Sequence, residues 1–126
     1  MASKLFPMLS CADLDRALAF YGGLLGGAET YRFPGEGEPA FIALTLGEGS
    51  EIGLGGIAAE PLHGRPQRPA SGHRIELCVY VEDVDATFAT AAVAGFETVT
   101  PPADMPWGER VAWLADPDGN LVMLTR

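Results

Sequence analysis

The chain has 126 residues, a formal net charge of −9, 48% apolar residues and 20% charged ones. That is chain enough for one compact domain with a modest core, too short for two ordinary domains and too apolar for disorder. Its acidity repels nucleic-acid phosphates and anionic membrane, which excludes both as partners and mildly favours a cationic small molecule.

No stretch approaches the roughly twenty apolar residues of a membrane span. The start, Met1-Ala2-Ser3-Lys4, lacks the long apolar core of a secretion signal, so the sequence reads as cytoplasmic. Each of the two cysteines, Cys11 and Cys78, lies in an apolar strand-like run and reads as a small reduced core residue. No CxxC and no Cys/His cluster suggests zinc.

Leu5 to Cys11 reads as a first strand. Pro7 cannot donate to a ladder, which puts that strand at a sheet edge. Asp13 offers an N-cap, and Leu14, Ala17, Leu18, Tyr21 and Leu25 recur at helical spacing, ending at Gly22-Gly23 or, in preference, at Gly26-Gly27. Glu29 to Phe33 reads as a strand, Pro34 to Gly37 as a turn, and Ala40–Leu46 with Glu51–Leu54 as a hairpin around Gly47 to Ser50. Gly55 to Gly72 has Pro61, Pro66 and Pro69, several glycines and no period, as a linker would. His63 within it reads as a solvated loop residue.

His73 to Val81 alternates. Ile75, Leu77, Val79 and Val81 share one face; Glu76, Cys78 and Tyr80 share the other. Asp83 caps a helix that carries Val84, Thr87, Phe88 and Ala91 on one side. Phe96 to Val99 reads as a strand and Pro101 to Pro106 as an irregular loop. The chain closes on a hairpin, Val111–Ala115 and Leu121–Leu124, around Asp116-Pro117-Asp118-Gly119-Asn120, where proline presets φ and Gly119 supplies a positive φ.

Ala12-Asp13-Leu14-Asp15-Arg16-Ala17 aligns with Glu82-Asp83-Val84-Asp85-Ala86-Thr87, seventy positions later. The class is α+β: one domain over 1–126, with a β-α-β-β-β module over 1–55, a linker over 56–72 and a second module over 73–126. One helix for four strands covers one face of each sheet. The other face is solvated, paired with the other half or used as a cleft.

A doubled β-α-β-β-β module with Asp-Leu-Asp and Phe20-Tyr21 early and Asp-Pro-Asp-Gly-Asn late resembles the vicinal oxygen chelate superfamily. That group holds glyoxalase I, extradiol dioxygenases, fosfomycin-modifying enzymes and bleomycin-resistance proteins. Pro106-Trp107-Gly108 before the late turn is most like the bleomycin-resistance branch. The resemblance implies a cupped mixed sheet, the glyoxalase/bleomycin-resistance fold, with a metal or ligand on its concave side. It also implies a homodimer that exchanges its first strand, because Pro7 matches a proline accompanying such exchange in that branch.

Metal-dependent members carry His, Gln or Glu at four strand positions. Those positions land here on Phe6, Glu76, Met123 and the neighbourhood of Gly53, with Glu51 two residues earlier. Phe6 and Gly53 offer no ligand and a lone thioether suits no metal of this family, so no metal and no cofactor are expected. Phe6, Met8 and Met123 instead make an apolar surface, with Glu76 and Tyr80 beside it.

Trp107, in a loop, suits stacking on a flat ligand, the alternative being a plug at the end of the cup. Trp113 reads equally as pocket lining or core. Phe33 and Phe41 read as ordinary strand hydrophobes or as the opposite wall of an aromatic sandwich. Glu76 has Arg110, His73 or a cationic ligand group as possible partners. Asp13, Asp83 and the Asp116 to Asn120 turn read as caps and turn formers. The expected function is antibiotic self-resistance by sequestration of an aromatic drug, such as a bleomycin-type glycopeptide, a quinone or an enediyne. The alternative is a lyase- or dioxygenase-like enzyme, metal-dependent or using Glu76 as acid or base.

Overall fold

A computed structural model describes residues 1, 3–68 and 75–126. The chain divides into two compact units, Met1–Arg68 and Pro69–Arg126. The tail of the expected linker at 69–72 lies outside the described residues. So does His73, the expected start of a strand and a candidate partner of Glu76.

In the first unit, strands β1 (Met8–Cys11), β2 (Ala28–Phe33), β3 (Phe41–Thr45) and β4 (Glu51–Gly56) form a mixed sheet in the order β1-β4-β3-β2. Strand β1 runs parallel to β4; the other neighbours are antiparallel. The edge position expected from Pro7 is observed, but the strand is shorter than Leu5 to Cys11. Pro7 contributes only its carbonyl, which accepts from Gly53 N at 2.9 Å, and the ladder proper starts one residue later. Phe6 therefore lies before β1, with its ring under the Lys4 ammonium at 5.2 Å.

Asp13 caps helix α1 (Leu14–Leu18), accepting from Arg16 N at 3.1 Å. The helix then widens into a π-helical stretch, Ala19–Leu24. The wider turn changes the phase expected from regular helical spacing. Phe20 and Tyr21, consecutive in sequence, are both buried, with their rings 4.9 Å apart edge to face. Of the two expected ends the helix passes through Gly22-Gly23 and stops at Gly26-Gly27: Gly26 takes φ +77, and a Cβ on Gly27 would lie 2.7 Å from the Tyr21 carbonyl oxygen. Ala17, Phe20 and Tyr21 form a core with Cys11, Ile42, Leu44, Ile52 and Leu54. After β4 the chain stays tied to this unit. Ile57 N donates to Cys11 O, and the Gln67 amide bridges Ala58 N and the Ser10 hydroxyl.

The second unit repeats the topology. Strands β5 (Glu76–Tyr80), β6 (Glu97–Asp104), β7 (Arg110–Ala115) and β8 (Leu121–Thr125) are ordered β5-β8-β7-β6, with β5 parallel to β8. Asp83 caps helix α2 (Val84–Val93), accepting from Ala86 N at 3.0 Å. Its inner side brings Val84 and Ala91 into the core with Ala112, Leu114, Val122 and Leu124. The seventy-position repeat seen in the helix starts extends through the ladders. Met8 opposes Gly53 and Ala43 opposes Gly53 in the first unit; Cys78 opposes Met123 and Trp113 opposes Met123 in the second.

Two expectations change here. Pro101 to Pro106 is not a loop throughout, because β6 continues to Asp104 with irregular register around Thr98 to Ala103. Strand β6 is the outermost of its sheet, where missing N–H donors cost no ladder bond. Cys78 is exposed rather than buried, since it points to the face of β5 away from α2, whereas Cys11 is a buried free thiol.

The Asp-Pro-Asp-Gly-Asn turn is held by its first residue. Asp116, 4% exposed, accepts from Asp118 N, Asn120 N and the Asn120 amide at 2.8–2.9 Å, while Gly119 takes φ +85. This is an Asx-type closure in which a carboxylate replaces missing ladder acceptors.

Candidate functional site

Pleat alternation and register decide which side chains share a face. In the second unit, the face turned away from α2 carries Glu76, Cys78 and Tyr80 from β5, Met123 and Thr125 from β8, and Trp113 from β7. Both indoles of the protein belong to this unit, and both donate to a carboxylate. Trp113 Nε1 donates to Glu76 Oε2 at 3.0 Å, and Trp107 Nε1 donates to Glu109 Oε1 at 2.7 Å. A hydrogen bond to an ionised group is worth about 1.5–3 kcal/mol where it is protected from water; these sites are open, so each is worth less.

Trp107 sits at the tip of the β6–β7 connection. Gly108 N donates to Met105 O at 3.0 Å, Met105 N donates to Glu109 O at 2.8 Å, and Gly108 takes φ +99, which only glycine adopts without strain. The indole is 62% exposed. Glu109, just behind it at the head of β7, receives three donors. Besides the indole, its Oε2 accepts from the Tyr80 hydroxyl at 3.0 Å and the Thr125 hydroxyl at 3.2 Å. The hydrogen bond and charge of Glu109 push the Tyr80 phenol above its ordinary pKa, so Tyr80 stays a donor. Partial burial, with Glu109 and Glu76 nearby, also raises the Cys78 thiol, which makes it a poor nucleophile at neutral pH.

Glu76 does not take Arg110. The Arg110 guanidinium is bidentate on Asp85 (2.5 and 2.7 Å) and reaches Asp104 at 3.0 Å, which holds Asp85 below its usual pKa. That side chain therefore braces α2 to the β6–β7 hairpin. His63 is exposed, and its Nδ1 accepts from Arg65 N within its own loop.

The first unit's corresponding face has a different make-up. Met8, Phe41, Ala43, Gly53, Tyr31 and Phe33 share it by register. Met8 and Phe33 are exposed, and Tyr31 and Phe41 lie 6.2 Å apart between ring centroids. The Phe41 ring covers Gly53: a Cβ there would meet ring carbons at 2.8 and 2.9 Å and Met8 Cγ at 3.2 Å. Phe33 and Phe41 thus share a face, and Phe6 lies before it. Sequence reasoning missed Tyr31, whose signal was its i, i+2 spacing from Phe33. It also missed Glu109, whose only local signal was its place two residues after Trp107.

Gly53→Ala should push the Phe41 ring aside at a cost of roughly 1–2 kcal/mol, partly offset by about 0.4–1 kcal/mol from the stiffer unfolded chain. Gly27→Ala should cost more, because the obstacle is a backbone carbonyl that cannot swing away. Urea denaturation of the two variants checks this order; equal midpoints would contradict it.

The family model for the Glyoxalase/Bleomycin resistance protein/Dioxygenase superfamily matches residues 6–124. The chain belongs to this superfamily. An uncharacterized protein of Mycobacterium bovis is 33% identical over 119 residues, spanning 92% of this chain and 78% of its own length. The crystal structure of TioX from Micromonospora sp. ML1 is similar with TM-score 0.74 and 29% identity, over 98% of both chains. A superfamily member from Sphaerobacter thermophilus gives TM-score 0.73 and 25% identity, over 98% of this chain and 97% of its own.

Members that hold a metal need oxygen or nitrogen donors at the four strand positions, and the side chains here do not fit one. Gly53 is closed over by Phe41, Met123 offers a thioether, Phe6 offers nothing and Glu76 is engaged by Trp113. Glu51, the neighbouring acid, pairs with Lys4 at 2.5 Å. Among the described residues, no three His, Cys, Asp or Glu side chains gather to hold an ion. No described helix is long and apolar enough to cross a membrane.

Proposed function

We propose that the protein binds an aromatic antibiotic without a metal and confers resistance by sequestering it. The observation that carries this reading is Trp107: an exposed indole, held at a turn tip by Glu109, in the unit whose sheet face carries Glu76 and Met123 at the family metal positions. Such a ring buries large area at little entropic cost when a planar molecule stacks on it. On the sheet face of the same unit, Tyr80, Trp113 and Met123 supply further apolar contact area and Glu76 a polar one; Met8, Phe33 and Phe41 make the corresponding face of the first unit apolar and aromatic. The ligand is a bleomycin-type glycopeptide or another aromatic natural product such as a quinone or enediyne.

Sequestration is stoichiometric, so protection should scale with the amount of protein and leave the drug chemically intact. Bacteria expressing the protein should survive bleomycin or a flat aromatic drug better than controls. Elemental analysis of the purified protein should find less than one divalent ion per subunit. One firmly held ion, whose removal abolishes an activity, would replace this reading with the enzyme alternative. A homodimer with an exchanged first strand belongs to the same proposal, because Pro7 heads the edge strand β1. Light scattering on the same preparation should give twice the chain mass, and a monomer would contradict the exchange.

A further inference from the structure

We infer that the ligand is a planar aromatic carrying a positive charge, and that Glu109 is the residue that selects that charge. The inference deepens the proposed binding function and rests on it.

Glu109 accepts from an indole N–H, a phenol and an aliphatic hydroxyl, contributed by the β6–β7 turn, β5 and β8. All three donors are neutral. They orient the carboxylate and do not cancel its charge. The two described guanidinium groups of this unit are engaged elsewhere. Arg110 is held by Asp85 and Asp104, and Arg126 Nη1 donates to the Glu82 carbonyl.

The result is a fixed anion between the edges of two exposed rings, Trp107 and Tyr80, whose π faces themselves attract cations. A neutral ring system would gain only the stacking. A ring bearing a protonated amine gains the stacking, the ring quadrupoles and a charge-assisted bond to Glu109. Glu76 adds a second negative charge on the same face. The Glu109 network separates the candidate ligand classes: it favours basic aromatics over neutral quinones.

The test uses proflavine, a three-ring cation at neutral pH, and acridine, its neutral ring analogue, titrated calorimetrically into the full chain. Wild type should bind proflavine about tenfold more tightly than acridine, the effect of one charged contact in an open site. Glu109→Gln keeps an acceptor for Trp107 and removes the charge. It should erase the tenfold preference by weakening proflavine more than acridine. Added salt should weaken proflavine binding more in wild type than in the variant, where Glu76 remains.

Equal affinity of wild type for the two probes would overturn the charge selection and leave the binding function standing. Equal weakening of both probes by Glu109→Gln would make Glu109 a positioning residue for Trp107 and overturn the selection as well. Binding of neither probe by wild type would overturn the inference, and the binding function would fall with it only if bleomycin and the other flat aromatic drugs also failed to bind.

Discussion

Trp107→Ala should weaken binding of a planar aromatic ligand by about tenfold or more while leaving the fold intact, because interface aromatics at exposed sites carry a disproportionate share of binding energy. The fold should not register the change. The turn is closed by the backbone bonds of Met105, Gly108 and Glu109, and the indole contributes a single side-chain bond to it. Trp107→Phe should fall between the two, since it keeps a stacking face and loses the N–H to Glu109. Calorimetric titration gives the affinities and circular dichroism the fold. An alanine variant that binds as wild type does would move the ligand away from this hairpin.

Asp116→Ala should be among the most destabilising substitutions on the surface-lying turns, costing roughly 2–4 kcal/mol. The carboxylate is nearly buried and satisfies two backbone N–H groups and the Asn120 amide at once. Alanine leaves those donors without it and frees the β7–β8 hairpin, whose strands β7 and β8 are central in their sheet. Asp116→Asn keeps one acceptor oxygen for the backbone donors and should cost about half as much. Urea midpoints at constant slope test the pair. If alanine and asparagine were equally mild, the network would not be what holds this turn.

What sequence reasoning reached, and what it missed, divides by range. The caps at Asp13 and Asp83, the stop at Gly26-Gly27 and the Asp116 to Asn120 turn are local, so residue type and spacing sufficed. The repeat was legible from one hexapeptide pair, and the ladders carry it through β1, β3 and β4 and their counterparts β5, β7 and β8, while β6 is one residue out of step with β2 until Ala103. The two faces of β5 followed from simple alternation.

The misses depend on context. Pro101 and Pro102 look like a loop until β6 is known to be outermost, where prolines are tolerated. The π widening that buries Phe20 beside Tyr21 leaves no simple periodic mark. Cys78 looked like a core residue because its neighbours in sequence are apolar, yet its face is the one without a helix. The charged partners were the least accessible. Arg110 meets Asp85 across 25 positions, and Glu109 meets Tyr80 across 29. Nothing local distinguishes those pairs from Arg110 with Glu76, the pairing that the structure replaces with Trp113 and Glu76.

The proposed binding function would rest on aromatic side chains rather than on a metal, so one measurement addresses it most directly. Tryptophan fluorescence of the chelator-dialysed protein is titrated with bleomycin and with a panel of flat aromatic drugs. Saturable quenching by at least one of them, undiminished by removal of divalent ions and largely lost in Trp107→Ala, is the predicted result. Fluorescence indifferent to the whole panel, or quenching that appears only when a divalent ion is restored, would contradict it.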